Sequence, residues 1–163
     1  ATIPWGEART VEDVLSKGCG TCTGKHVLLQ ACLDELEIEY RPVVCTFKWS
    51  EQGIHLPDDL KAILTEGEWA HGHNFVQIKN VNNQWIDVDV TWDPPLAPWG
   101  FRTFPTDWDG QTPFIGLNSI VKRFDGVSIQ EKKADLIAAL DDAQQKQRER
   151  FLAKFIMWIN RVR

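Results

Sequence analysis

The chain has 163 residues, 43% of them hydrophobic and 25% charged, with a formal net charge of −5. Length and composition suit one domain with a sizeable core and exclude a chain dominated by disorder. The acidic balance leaves no electrostatic footprint for nucleic-acid phosphates or an anionic membrane, and no apolar run reaches the roughly 18 residues of a spanning helix, so neither partner is expected.

The N-terminal ATIPWGEART carries no charged-then-apolar secretory signal, which points to a cytoplasmic chain whose four cysteines are reduced thiols. Thr10, with Asp13 three residues on, resembles a helix-opening cap, and VEDVLSK ends at Gly18, suited to a left-handed stop. A second helix is predicted from Cys22 to about Glu37, with Val27, Leu28, Ala31, Cys32 and Leu36 on its apolar stripe. The stretch YRPVVCTFKW, from Tyr40 to Trp49, reads as a strand, with Pro42 favouring an edge or an early position. LPDDLKAIL reads as a short surface helix. Two further strands, His71 to Lys79 and Gln84 to Trp92, flank an Asn-rich turn around Val81.

Residues 93–127 hold most of the prolines and little periodicity, and read as a long packed loop that completes a core of about 8–127. Ser128 with Glu131 opens a helical C-terminus, 128–163, broken near Asp141 and Asp142. Phe151, Leu152, Phe155, Ile156 and Ile159 form a stripe on it for docking on the domain.

In the two-strand unit the even positions Val76, Ile78, Ile86, Val88, Val90 and Trp92 are apolar, whereas the odd ones include His71, His73, Gln77, Asp87, Asp89 and Asp93. One face is expected to make core and the other a site, with simple hydration as the plain alternative. Setting His73 opposite Asp89 centres the turn on Val81 and needs an odd-numbered loop; a two-residue Asn82-Asn83 turn would send Asp89 to the other face. Cys22 opens a helix, where unpaired N–H groups and the dipole favour a thiolate. A thiolate to attack a carbonyl, an imidazole to carry the proton and a carboxylate to fix its tautomer are the parts of nucleophilic acyl transfer, and Cys22, His73 and Asp89 fill those roles. The Cys22 amide N–H would face the developing oxyanion.

GTCTGKHVLLQACLDELEIEYRPVV resembles the nucleophile helix and following strand of the transglutaminase-like superfamily, HNFVQI its His-bearing strand, and WIDVDVT its W-x-x-V-D-x-T strand. The resemblance spans about residues 15–93 in the family's order and spacing. It implies a Cys22–His73–Asp89 triad and a papain-like α+β core.

Cys19 and Cys22 form a C-x-x-C which, with His71 and His73, makes a rival tetrahedral zinc set. CGTC also resembles a dithiol redox motif, but no strand leads into it; Cys19 remains a candidate regulatory disulfide partner of Cys22. Cys32 and Cys45 are expected in the core. His26, one turn past Cys22, is a candidate cleft residue with the surface as its default, and His71 is either a second cleft imidazole or a solvated strand end. Asp87 is the alternative orienting carboxylate, Asp93 reads as a turn residue, and Trp92 and Trp99 are candidate groove walls.

The expectation is an α+β fold in which a nucleophile helix packs on a mainly antiparallel sheet, with a helical C-terminus added. The expected activity is that of a cysteine peptidase or amidase acting on a peptide or amide through a thioester, without a cofactor. A transglutaminase, a silent ligand-binding module and the zinc domain are the alternatives.

Overall fold

The computed structural model describes residues 8–163, and its sheet forms where β-branched and aromatic residues concentrate. Strands β1 (Tyr40–Phe47), β2 (His71–Lys79), β3 (Trp85–Val88) and β4 (Lys122–Asp125) make one antiparallel sheet in the order β3-β2-β1-β4. Around it lie helices α1 (Val11–Lys17), α2 (Cys22–Glu35), α3 (Asp58–Thr65), α4 (Ile129–Ala138) and α5 (Asp142–Val162). No helix among the described residues is long and apolar enough to cross a membrane.

The α+β expectation holds, with one strand more than the sequence suggested. β4 lies inside the region read as loop, because four residues are too few to show a period and it takes its identity from pairing with β1. β1 is consequently central, and Pro42 sits just outside the Val43–Thr46 segment that pairs with β4.

Helix ends follow local chemistry. Thr10, Thr21 and Ser128 each accept a backbone N–H from three residues on, at Asp13, Gly24 and Glu131, and Asp141 with Gln144 completes a reciprocal capping box that separates α4 from α5. Gly18 takes a left-handed φ of 61° where α1 stops.

Both faces of the sheet are buried. Val43, Cys45, Phe47 and Phe75 enter the larger core with Leu60 and Ile63 of α3 and Phe151, Leu152, Phe155 and Ile159 of α5. On the other face Val76, Ile78, Ile86 and Val88 pack with Leu33 of α2. The expected division into a core face and a polar face is therefore corrected: Phe75 stands fully buried among the polar odd positions, since α3 and α5 cover that side. α3 is the expected short surface helix: Asp58, Asp59, Lys61, Ala62 and Thr65 are exposed, and Leu60, Ile63 and Leu64 bury its inner face.

The predicted stripe on α2 is also corrected. Gly24, His26 and Leu33 face inward, while Cys32 and Leu36 are exposed. The helix is oriented by polar contacts to the sheet and to the chain after β3, which a hydrophobic pattern cannot register. A Cβ on Gly24 would clash with the Ala8 carbonyl oxygen, so only glycine lets the chain at Ala8 cross this turn.

The β2–β3 ladder runs from Val76↔Val88 to Lys79↔Trp85, centred on Asn82 rather than Val81. The loop stays odd-numbered, closed by Asn80 N–H to the Gln84 carbonyl at 2.9 Å, with Asn83 at a left-handed φ of 59°. Asp89 thus keeps the parity of His73 without lying directly opposite it. β3 ends at Val88 instead of reaching Trp92, because the next N–H groups bond elsewhere: Asp89 donates to the Phe114 carbonyl and Val90 to His26 Nε2, both at 3.1 Å.

α5 supplies much of the larger core, so Phe151→Ala should destabilise the protein by about 3–5 kcal/mol in urea unfolding followed by tryptophan fluorescence. A loss below about 1 kcal/mol would mean that α5 is dispensable to that core.

Candidate active site

Because Thr21 caps α2, with its Oγ1 accepting the Gly24 N–H at 3.2 Å, Cys22 is the first helical residue and its own N–H lies outside the helix's internal bonds. The Cys22 sulfur is met by a cation from the far end of the chain. Lys133 Nζ on α4 stands 3.3 Å from Cys22 Sγ, 2.9 Å from Thr23 Oγ1 and 2.5 Å from Asn74 Oδ1. Thr23 Oγ1 donates to the same Asn74 oxygen at 3.0 Å, tying the first turn of α2 to β2.

His73 Nε2 donates to Asp89 Oδ2 at 2.8 Å, and both side chains are buried. The carboxylate is fully engaged: Oδ2 also accepts the Gly116 N–H at 3.1 Å, and Oδ1 accepts the Thr91 N–H at 3.1 Å and the Thr91 hydroxyl at 2.6 Å. With Nε2 committed to Asp89, Nδ1 is the ring nitrogen left for Cys22, whose charge acts on His73.

His26 is wholly buried, contrary to its default reading as a surface residue. Its Nδ1 donates to the Cys22 carbonyl at 2.7 Å and its Nε2 accepts the Val90 N–H at 3.1 Å, so its hydrogen bonds define a neutral ring of fixed tautomer. The 3.6 Å approach of Nε2 to Asp89 Oδ1 is accordingly no ion pair. Lys25 works beside it, donating to the Thr91 carbonyl at 2.7 Å and to Asp93 at 2.6 Å. Adjacent residues of α2 therefore clamp the segment that carries Asp89 against the nucleophile helix. Asp93, read as a turn residue, is a charged anchor that also meets Arg163 at 2.5 Å.

These contacts set the protonation states. Burial alone would push the Cys22 thiol up, but the Lys133 ammonium and then the hydrogen bond and charge of His73 hold it well below its ordinary value of 9.0. Burial pulls His73 down, yet the charge and hydrogen bond of Asp89, with the Cys22 contact, raise it to about 9. Burial likewise disfavours the Asp89 carboxylate, and the His73 charge and hydrogen bond outweigh it, holding the carboxyl far below the usual range. The opposite shifts of Cys22 and His73 favour the thiolate and imidazolium over the neutral pair. Cys45, behind the site, is pushed up to about 12, first by burial and then by the charges of Asp89 and Cys22, and stays an inert thiol.

A cavity of about 170 Å³ opens beside the sulfur, with Cys22, His73, Lys133 and Arg148 among its lining and Trp49, Trp69 and Trp92 in its walls. His71 lines it too; burial first, then the nearby positive charges of Arg148 and Lys133, keeps that ring neutral. Of the other candidates, Asp87 lies outside the site, because Arg123 holds it through two bonds of 2.8 Å and Gln77 Nε2 donates to it at 2.8 Å. Cys19 packs near Ala8 and Val14, and Trp99 packs edge-on against Trp158 away from the cavity. The rival zinc set is not assembled: no group of three or more His, Cys, Asp or Glu among the described residues is arranged to hold a metal ion.

Lys133, Arg148 and Gly116 gave no sign in the sequence. Thr91 was legible in hindsight, as the last residue of the W-x-x-V-D-x-T pattern whose hydroxyl binds the Asp89 carboxylate.

Because the Cys22 thiolate persists well below pH 9.0, its alkylation by iodoacetamide should remain fast as pH falls and decline only below that depressed pKa. In Lys133→Met the midpoint should rise by about 1–3 pH units, read from peptide mass spectra of Cys22. An unmoved midpoint would remove Lys133 from the site's electrostatics. No family model, curated protein or solved structure matches this chain.

Proposed function

We propose that the protein is a thiol-dependent acyl-transfer enzyme of the papain and transglutaminase-like type, acting as a peptidase or amidase. One observation carries this reading: a thiol at the head of a helix faces an imidazole whose Nε2–H is committed, at 2.8 Å, to a buried carboxylate.

In the proposed cycle the Cys22 thiolate attacks an amide carbonyl carbon, and His73 delivers its Nδ1 proton to the departing amine as the C–N bond breaks. The product is a thioester on Cys22. Neutral His73 then takes a proton from water, whose oxygen attacks the thioester, and the thiolate leaves as the acid is released. Asp89 never changes protonation; it holds the ring's tautomer and balances the imidazolium.

Lys133 poses an energetic question. A cation that only stabilises the resting thiolate would deepen the ground state and slow attack. It aids turnover if it follows the charge as that charge moves from sulfur to the carbonyl oxygen, and at 3.3 Å from the sulfur Lys133 Nζ is close enough for an oxygen on the attacked carbon. The Cys22 N–H, first in its helix, is the other donor in this reading. Water serves as the acceptor because it needs no second substrate groove.

Incubation with p-nitrophenyl acetate should give a burst of nitrophenol and an acyl adduct on the Cys22 peptide. Cys22→Ala should abolish both, and Asp89→Asn should lower the acylation rate by as much as about 10⁴-fold. Added hydroxylamine intercepting the adduct faster than water would shift the assignment towards amine acceptors. Unchanged acylation in Cys22→Ala would end the proposal, and a folded wild type that never acquires the adduct would support the silent binding module.

A further inference from the structure

We infer that Asn74 is a positioning residue of this site: its side-chain oxygen holds the Lys133 ammonium against the Cys22 sulfur and, being neutral, leaves the whole charge of that cation to the sulfur. The inference rests on the acyl-transfer reading for what the sulfur does, and adds a residue which that reading does not use.

Lys133 has little else to hold it in place. Its helix, α4, has no buried residue, and a lysine side chain is a flexible stem ending in three rotatable donors. Those three N–H groups have three acceptors: Cys22 Sγ at 3.3 Å, Thr23 Oγ1 at 2.9 Å and Asn74 Oδ1 at 2.5 Å. The bond to Asn74 is the shortest. Thr23 donates its own hydroxyl proton to the same oxygen at 3.0 Å, so ammonium, hydroxyl and amide close a ring of hydrogen bonds. Thr23 belongs to the first turn of α2, and Asn74 pairs with Val44 of β1 within the sheet. Successive residues of β2 thus serve successive residues of α2: His73 acts on Cys22, and Asn74 on Thr23 and the cation beside both.

Asn74 is a costly side chain to keep here. It has no exposed surface, and its Nδ2 is buried with no acceptor among the described residues. An unsatisfied buried donor is unfavourable, and a leucine of similar shape would avoid it. The oxygen offsets that cost by fixing the cation. An aspartate would bind Lys133 more strongly, but its charge would pair the ammonium and oppose the thiolate. A neutral carbonyl orients the cation without neutralising it.

The titratable groups around Cys22 are Lys133 of α4, His73 and neutral His71 of β2 and His26 of α2; Asp89 and Cys45 stand behind them, and Arg9 and Arg148 border the cavity. Replacing Asn74 leaves every one of these groups in the chain, so a change in the ionisation of Cys22 must come from a change in position.

The test is the pH profile of Cys22 labelling by iodoacetamide, read from peptide mass spectra for the wild type, Asn74→Leu, Lys133→Met and the double variant. Asn74→Leu should raise the midpoint by about 1 pH unit, a roughly tenfold loss of labelling rate below both midpoints. In the Lys133→Met background the same substitution should move the midpoint by less than about 0.3 unit, because no ammonium is left to position. Circular dichroism identifies a misfolded Asn74→Leu, in which case Asn74→Ala, which only removes atoms, takes its place in both backgrounds.

An unmoved midpoint in Asn74→Leu overturns the inference. So does an equal shift in the two backgrounds, which would make Asn74 a structural residue whose loss loosens the site without involving Lys133. The two readings fail separately, since labelling needs no acyl transfer. A wild type that takes no acyl group from p-nitrophenyl acetate, with its midpoint governed by Asn74 through Lys133, removes the proposed activity and keeps the positioning. A normal acyl burst with a midpoint indifferent to Asn74 keeps the activity and removes the positioning.

Discussion

A carboxylate with no exposed surface can stay ionised only if its oxygens are fully occupied, and the architecture around Asp89 follows from that demand. Four donors arrive from three parts of the chain: the imidazole of His73 on β2, the N–H and hydroxyl of Thr91 just beyond β3, and the N–H of Gly116 from the long connection to β4. To meet them the chain must leave the β2–β3 ladder after Val88. That departure frees Val90 N–H for His26 and lets α2 bring its first turn against the part of β2 that holds His73. One buried charge thus accounts for the short third strand, the clamp from α2 and the fixed imidazole.

The site balances formal charges of both signs within a few ångströms. Cys22 and Asp89 are anionic in the resting state, His73 and Lys133 cationic, and His26 neutral because its two hydrogen bonds leave no room for a second proton. Removing one member of such a buried set leaves its partner unopposed, so each depends on the others for its protonation state. Between Cys22 and His73 there is a single transferable proton, while Asp89 and His26 act by position. This division suits acyl transfer, in which one proton must shuttle without disturbing its supports.

The sequence made the chain's periodic parts legible and missed what depends on distant encounters. Cys22 at a helix start, and His73 and Asp89 at positions of like parity, were visible because helix caps and strand alternation are local rules. The register was misplaced by one step of the turn's centre, since Val81, Asn82 and Asn83 offer competing loops and only the assembled sheet selects among them. His26 was assigned to the surface because one polar residue in a mixed helix carries no periodic signal, and Cys32 to the core because its stripe ignored the polar contacts that orient α2. Lys133 lies in a charged stretch that reads as a solvated helix face. Its place over the sulfur is a tertiary event with no local trace.

Lys133 follows Cys22 by 111 residues, and Arg148 follows later still. During synthesis the nucleophile leaves the ribosome long before the elements that charge it. Until α4 docks, the thiol lacks the ammonium that does most to ionise it, and until α5 docks the cavity has no floor. A nascent or truncated chain therefore carries a far less reactive sulfur than the finished protein. Docking of α4 and α5 therefore completes both the electrostatics of Cys22 and the cavity beside it.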